Sequence, residues 1–336
     1  MTMLRPAYRL TLGEQIVDTT DEPRASTAVE LRVRLDMDTP ADGFTIVQGQ
    51  VGGAAPQPHD DASIELGYTD TGLEQVLTGR VVDVVPGFET KRIVGLSVED
   101  LLLRHHENET FEATDAGSIV RALAERAGVD TDRVDDGIAL PAFVVDRRRS
   151  VAAHVRDLAA LCGFDTYVTP DGALVFEEFA GNRTAHPLRY GEHVLAVEVR
   201  RTRPAAGTVE VWGESPGASR GTESWAWLTK DFATWRGTAG SKAPTMLVER
   251  PAIRTAQSAR AAAARTHVAV EHGSVTGRVL IQGRPSVRLG HLVRLEGFPL
   301  DDLDGNHQVR SVEHRITKAG GFLTDVGFRT AGELPT

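Results

Sequence analysis

The stretch that decides the fold runs from Ser274 to Thr330 and reads SVTGRVLIQGRPSVRLGHLVRLEGFPLDDLDGNHQVRSVEHRITKAGGFLTDVGFRT. Apolar residues recur about every second position, as half-buried antiparallel strands require. They stand at Val275, Val279, Ile281, Val293, Leu295, Val309, Val312, Phe322, Val326 and Phe328. Glycines mark turns or bulges at Gly277, Gly283, Gly290, Gly297, Gly305, Gly320 and Gly321. Because the stretch holds no catalytic constellation of Ser/His/Asp, cysteine or carboxylates, it predicts a structural wall.

The composition is that of an ordinary globular protein. The 336 residues suffice for two or three domains, and 41% are hydrophobic and 25% charged. No apolar run approaches the roughly 20 residues that cross a bilayer, so we expect no direct membrane insertion. The N-terminus lacks the apolar segment of a signal peptide, and Cys162 is the only cysteine. These features predict synthesis in the cytoplasm without a signal peptide.

The net charge of −10 argues against specific nucleic-acid binding, which normally uses a basic face. One basic cluster, Arg147–Arg149, precedes a predicted helix. It is interpreted as a solvated loop, with contact to an acidic partner as the alternative.

Residues 1 to about 103 predict strands, and a small β-barrel or sandwich is the expected class. Pro86-Gly87 predicts a hairpin turn between Val85 and Lys91. Further on, VLAVEVRRTRPAAGTVEVWG, from Val194, predicts two more strands.

Three segments carry the helical period. The first helix is predicted to begin at the N-cap Thr114 and to stop at Gly128. The second begins at Ser150 and ends at Gly163, which places Cys162 in the core. A strand, the turn Pro170-Asp171-Gly172 and another strand follow the second helix. The third helix covers 255–271, with Thr255 as its cap and Gly273 as its stop.

Residues 214–254 contain a long loop or extended hairpin that carries Trp225, Trp227 and Trp235. The tryptophans either anchor the loop locally or form an exposed contact patch.

An internal repeat links residues 62–99 with 291–329. In each, a strand precedes a glycine, a V-x-x-V strand and a return strand; the V-x-x-V pairs are Val81/Val84 and Val309/Val312. The alternative is that any two antiparallel meanders share this pattern.

The C-terminal motifs resemble those of contractile-tail hub proteins, the phage late control protein D family that also includes the N-terminal hub of type VI VgrG proteins. The matching residues are Gly283-x-Pro285, Leu289-Gly290-His291-x-Val293-x-Leu295-x-Gly297, Gly305-x-x-x-Val309-x-x-Val312-x-His314 and Gly321-Phe322-x-Thr324. A middle run is also similar: Ser150-Val151, Leu158-Ala159-x-x-Cys162-Gly163-Phe164 and Asp171-Gly172-Ala173-Leu174-x-Phe176.

The resemblance implies an α+β, mainly β fold with two tube-like β-barrel domains joined by smaller α/β domains. We expect the first barrel over 1–103, an α/β insert over 104–185 and the second barrel over 186–336. The resemblance also implies a homotrimer that forms a pseudo-six-fold ring, adapting a hexameric inner tube to a trimeric spike. Other baseplate proteins, tape-measure or LysM-type proteins and protein cargo are its further implied partners, within a phage tail-like particle.

This chain departs from the type VI form of the family, in which the hub continues into a fused spike. Here Thr336 follows the last predicted strand closely, so the spike is expected to be a separate protein.

The expected functional residues are structural. The candidates for folding and assembly are Gly290, Val293, Leu295, Gly297, Gly305, Val309, Val312, His314 and Phe322. His314 is expected on a strand that faces the lumen or a neighbouring subunit. We expect no catalytic, cofactor-binding or metal-binding residues, because no phosphate-binding glycine loop or nucleophile elbow occurs. His59-Asp60-Asp61 is interpreted as a polar loop, and His105-His106 as a hinge or solvated turn.

Two other functions compete with the hub. A tail-tip hydrolase would need paired carboxylates, for which Asp60, Asp61 and Glu107 are candidates. A carbohydrate- or receptor-binding module would use Trp225 and Trp227.

Overall fold

The computed structural model describes residues 4–20, 27–50, 54–180, 183–213, 215–216, 228–229, 236–299 and 303–331. The first strands are β1 (Pro6–Leu12), β2 (Gln15–Asp18), β3 (Ala28–Asp36), β4 (Gly43–Gly49), β5 (Asp61–Tyr68), β6 (Gly72–Pro86) and β7 (Thr90–Ser97). The next elements are α1 (Glu99–Arg104), β8 (Glu109–Asp115), α2 (Ala116–Ala127), β9 (Thr131–Val134), β10 (Ala139–Val145), α3 (Val151–Cys162), β11 (Asp165–Val168) and β12 (Leu174–Glu177).

The second half begins with β13 (Ala185–Arg189), β14 (Val194–Arg201), β15 (Thr208–Gly213), β16 (Ser215–Pro216), β17 (Leu228–Thr229), β18 (Arg236–Gly240) and β19 (Thr245–Arg250). The last elements are α4 (Ala256–His272), β20 (Val275–Gln282), β21 (Leu292–Glu296), β22 (Gly305–Thr317) and β23 (Gly321–Thr330). The α+β, mainly β class is therefore confirmed. None of the helices in the described segments is long and apolar enough to cross a membrane.

Thirteen strands form one sheet, in the order β14-β20-β23-β22-β3-β4-β7-β6-β5-β1-β2, with β21 and β13 branching from β22. Twelve of these strands form two six-stranded units with the same strand order, and β2 adds to the outer side of β1. The first β unit is β3-β4-β7-β6-β5-β1, and the second β unit is β14-β20-β23-β22-β21-β13. Within these units all neighbours are antiparallel except β13 and β21.

Five of the six strands in each unit also share their registers, and the sixth differs because β1 runs antiparallel to β5 whereas β13 runs parallel to β21. Val84 faces Ile93 in the first, and Val312 faces Val326 in the second. In both, the V-x-x-V strand shifts register directly after its first valine, at Val81 and Val309. This bulge explains the spacing of three, because one extra residue between the valines keeps both on the same face.

The internal repeat is therefore confirmed, and it extends to strands outside the two predicted segments, 62–99 and 291–329. β3 and β4 correspond to β14 and β20, with matching register shifts after Ala28 and Val194. The repeat predicted from the sequence aligns Ile64 of β5 with Val293. The strand registers align Ile64 with Leu295 instead, so the predicted alignment of β5 was wrong by two residues. A slip of two preserves alternation, so periodicity alone could not detect it.

The repeat also explains His59, whose φ of +79° is unusual for a residue with a side chain. The backbone N–H of His59 donates to Val81, and Gly290, with φ +74°, donates to Val309 in the same way. His59 therefore occupies the left-handed turn that precedes β5 in the first β unit, as Gly290 does before β21 in the second.

One hydrophobic core lies on one face of this sheet and includes side chains from both β units. It contains five of the predicted candidates, at most 3% exposed: Val293, Leu295, Val309, Val312 and Phe322. Tyr167 and Val175 reach it from the α/β part, so strands and insert are packed together.

A second core unites α1–α4 with the smaller sheets and forms the α/β unit. Asp115 caps α2 by accepting from the Ser118 N–H, so the expectation that Thr114 is the N-cap was wrong by one residue. Ser150 caps α3 and Thr255 caps α4, as predicted. Cys162 is fully buried at the end of α3, and burial raises the pKa of its thiol to about 11.

The α/β unit is built from two separate stretches of chain. α4 buries Ala259, Ala262 and Ala263 in the second core, where it contacts α3, β15 and β18. The expected second barrel over 186–336 includes this helix, because it lies next to β20 in the chain. Trp225, Trp227 and Trp235 lie outside the described residues.

We expect Gly290→Ala to destabilise the protein more than Gly297→Ala. Both glycines have φ above +70°, which costs an L-residue about 1 kcal/mol or more. A Cβ at Gly290 would also lie 2.4 Å from Tyr167 Oη, whereas one at Gly297 meets nothing within 4 Å. Chemical denaturation measures the difference; equal losses for the two variants would contradict the close contact with Tyr167.

Candidate assembly surfaces

The face of the long sheet opposite its core carries charged side chains of both signs. Arg278 pairs with Asp325 at 3.1 Å, and Glu313 forms ion pairs with Arg32 and Arg34 at 3.5 and 3.4 Å. Such exposed pairs contribute little stability, but they make this charged face hydrophilic across both β units. In these ion pairs acidic and basic side chains stand together, although the chain as a whole carries a net negative charge.

Several strand edges lack a partner among the described residues, and three of them lie along the main strand order of the long sheet. β14 pairs only with β20, and β2 pairs only with β1, so each ends the strand order. The third is the end of β6, because β5 leaves β6 at the pair Asp61–Arg80 and β6 continues to Pro86. Unpaired strand edges offer N–H and C=O groups to another chain.

Two hairpin turns project from the same rim of the sheet. A continuous row of paired residues, Thr317–Glu30–Val47–Arg92–Val85, joins the ends of β22 and β6 across three intervening strands. The turn after β22 is Lys318–Gly320, and the turn after β6 contains Phe88, which is 99% exposed. The two related hairpins therefore differ in one fully exposed aromatic ring.

The α/β unit is held to the sheet by a buried ionic network around Asp165. Its carboxylate contacts Arg310 and lies 3.4 Å from Arg329, and Gln308 donates to it at 2.5 Å. Arg310 also pairs with Asp38 at 2.5 Å. Burial lowers the pKa of Arg329, with partial compensation by Asp165. Burial also opposes the charge of Arg310, but its two carboxylate partners leave its pKa raised.

Arg310 is the extra residue of the β22 bulge. Since a bulge turns one side chain away from the alternation, it directs the Arg310 guanidinium toward the α/β unit. The corresponding extra residue of β6 is Val82.

A second seam joins the first β unit to α1 through two buried carboxylates. The Asp42 N–H donates to Glu99 at 2.9 Å, and the Asp42 carboxylate accepts from the Asp36 N–H. Burial, strengthened by the neighbouring Glu99, raises the pKa of Asp42, and burial raises that of Glu99.

His186 and His291 form a stacked pair where β13 meets β21. Their nearest ring nitrogens are 3.0 Å apart, and the ring planes differ by 27°. One nitrogen must therefore accept a hydrogen bond, which keeps at least one ring neutral. Burial lowers the pKa of each ring to about 4, and nearby arginines add to the effect.

His314 lies inside the core and not at the lumen or a subunit surface, so that expectation was wrong. It is fully buried, its Nδ1 lies 3.0 Å from Thr324 Oγ1, and its Nε2 has no hydrogen-bond partner. Burial lowers the pKa of this imidazole to about 3. Strict alternation places His314 with Val312 on the core face, which the sequence pattern could have revealed.

The remaining candidates are separated. Asp61 pairs with Arg80 on the β sheet, whereas Glu107 pairs with Arg126 in the α/β unit. His106 lies 3.1 Å from the carbonyl of Arg147. Across the described ranges, no group of three or more His, Cys, Asp or Glu side chains is placed to hold a metal ion.

Three other predicted candidates shape turns. Gly290, Gly297 and Gly305 have φ values of +74°, +71° and +133°. The predicted set therefore divides into turn glycines and core side chains. The features that offer contacts to other chains, the β14 edge, the end of β6 and the Phe88 tip, were not among the predicted candidates.

Solved structures with this fold come from phage tails and type VI secretion. A 43 kDa tail protein of prophage MuSo2 from Shewanella oneidensis superimposes with a TM-score of 0.73 at 14% identity, covering 96% of this chain and 98% of that one. A tail protein from Neisseria meningitidis MC58 gives 0.74 at 13% identity, covering 98% and 97%. Escherichia coli c3393, a type VI secretion component with structural similarity to T4 tail proteins gp27 and gp5, gives 0.62 at 10%, covering 97% and 79%.

No protein-family model and no curated protein sequence matches the chain. The fold is thus shared with phage tail proteins and a type VI secretion component, in agreement with the sequence resemblance.

We expect Asp165→Ala to lower the free energy of unfolding by about 3 kcal/mol, because it leaves two largely buried arginines without their shared carboxylate. Asp61→Ala is the matched control, since water screens its exposed pair with Arg80. Urea denaturation of both variants measures the effect. Equal, small losses would show that the network does not hold the α/β unit to the sheet.

We expect the buried His314 to make folding acid-sensitive. Its folded pKa lies below that of a free imidazole, so the unfolded chain binds its proton first as the pH falls. Stability should therefore fall between about pH 6.5 and 3, by up to about 1.4 kcal/mol per pH unit from this group. His314→Gln should flatten that slope, measured by denaturation at several pH values, and exposed His106→Gln should not.

Proposed function

We propose that this chain is a structural, non-enzymatic component of a contractile tail or injection-system baseplate. In this role it is a homotrimeric central hub that joins a hexameric inner tube to a trimeric spike. The fold shared with phage tail and type VI proteins supports the class of particle. The observation that carries the hub role is the duplication of one six-stranded unit within a single chain.

The duplication supports a change of symmetry. Three copies with two related β units each present six similar units in a ring, which suits a partner of six subunits. The same ring repeats its non-duplicated parts only three times, which suits a partner of three subunits. The α/β unit is such a single feature.

The charged face of the sheet suits a passage. Alternating ion pairs such as Arg278–Asp325 and Arg34–Glu313 offer a hydrated, charged surface to passing cargo. We propose that this face lines the lumen, with inner tube, spike, other baseplate and tape-measure or LysM-type proteins as axial neighbours. The domain division follows: two tube-like β units and an α/β unit assembled from two chain segments.

Native mass spectrometry of the purified protein tests the hub directly. We expect a species of three chains, and co-expression with the tube and spike proteins of its particle should yield complexes with both. A monomer at all accessible concentrations that binds neither protein would contradict the proposal.

Val312→Asp should abolish assembly, because Val312 is fully buried in the shared core and a buried carboxylate has no partner there. The control is Ser311→Asp, one residue earlier on the partly exposed opposite side of β22. Circular dichroism and native mass distinguish misfolding from failed association. Normal trimers from Val312→Asp would contradict this placement of the core.

A further inference from the structure

The strand pairing that joins the two β units inside one chain has an equivalent elsewhere in the sheet. There the two corresponding strand edges have no partner among the described residues. The end of β22 pairs antiparallel with β3, from Ser311–Asp36 to Thr317–Glu30. By the shared registers, the end of β6 corresponds to the end of β22, and β14 corresponds to β3. Yet no described strand covers β14 on that side or the end of β6.

We propose that these two edges pair between copies of this chain: β14 of one subunit lies antiparallel against Asp83–Pro86 of the next. The contact reproduces between chains the β22–β3 contact within the chain. It rests on the proposed trimer and assigns the residues and register of its interface.

The internal repeat fixes that register. Within the chain, Val312 faces Leu35 and Glu313 faces Arg34. Val84 corresponds to Val312 through their partners Ile93 and Val326. Val197 corresponds to Leu31 in the same way, since these face Val279 and Ile46. Counting along both strands places Val85 opposite Arg200 and Val84 opposite Arg201.

The side chains on these edges suit burial against each other. Val84, Val197 and Val199 are half-buried at the margin of the first core, so a neighbouring strand would complete their cover. Phe88, 99% exposed in the single chain, lies in the turn two residues beyond Pro86, on the side where the neighbouring β14 would continue toward Val197. An aromatic anchor that seats on an apolar edge is typical of an interface hot spot.

The charges are also complementary. Asp83 and Arg200 both lie exposed on the charged-face side of their strands. In the assigned register they are diagonal neighbours, a separation that an arginine side chain spans. The contact is heterologous, because β6 and β14 are different surfaces, and it therefore generates a ring when the rotation closes.

Three such contacts would alternate with the three β22–β3 contacts inside the chains. All six β units of the ring would then be joined by the same strand pairing, which gives the pseudo-six-fold arrangement a physical cause. The strand pairing that joins neighbouring β units would thus be repeated around the ring along with the units themselves.

Engineered cysteines test the register. Under mild oxidation, Val85→Cys combined with Arg200→Cys should give disulfide-linked dimers and trimers on a non-reducing gel. Glu313→Cys with Arg34→Cys is the matched control and should give only an intrachain disulfide, since these residues already face each other. Native Cys162 is fully buried and should not compete.

A slipped pair, Val85→Cys with Arg201→Cys, should crosslink poorly because successive residues point to opposite faces. Trimers by native mass without the Val85–Arg200 disulfide would overturn the inference and leave the hub intact. Absence of any trimer would instead contradict the proposed function itself.

The variant Phe88→Glu is a second, independent test of the proposed interface. It should weaken trimer formation at least about tenfold, measured by dilution in analytical ultracentrifugation, because an aromatic anchor commonly contributes more than one factor of ten. Ala319→Glu, at the tip of the related hairpin, should have no effect. Unchanged association of Phe88→Glu would count against the interface, since this exposed side chain contributes nothing to the single chain's core.

Discussion

The pairing of β22 with β3 is the interaction on which the rest of the structure depends. It merges two similar six-stranded units into one sheet with a common core, and Thr317–Glu30 sets both hairpin tips on one rim. Without such a contact, the two β units would be connected only by the chain between them, and their relative orientation would not be fixed. With it, the relative orientation of the units is set by strand register, which a one-residue slip would disrupt on both faces.

The α/β unit is attached to this sheet at polar seams. Arg310 leaves the β22 alternation at a bulge and meets Asp165, while Asp42 and Glu99 connect β4 with α1. Buried charges of this kind contribute orientation more reliably than stability, because desolvation offsets much of their attraction. The insert is thereby held in one position relative to the strands that would contact other subunits.

Local signals in the sequence predicted local structure well. The caps Ser150 and Thr255, the Pro86-Gly87 turn and the core placement of Cys162 all depend on neighbouring residues, and all are confirmed. Long-range relations were harder. The two-residue slip between Ile64 and Leu295, the membership of α4 in the second core and the meeting of Asp165 with Arg310 depend on packing, to which periodicity is blind. The unpaired edges of β6 and β14 could not be predicted, because the alternation of apolar and polar residues is the same in paired and unpaired strands.

In the proposed hub, one chain carries two equivalent ring segments. Electron-microscopic class averages of the purified oligomer, viewed along its axis, test this most directly. We expect a ring of six similar lobes around an opening, with only three-fold symmetry once the α/β units are resolved. A compact two-fold particle, or a ring of three lobes in which the β units of one chain are not equivalent, would contradict it.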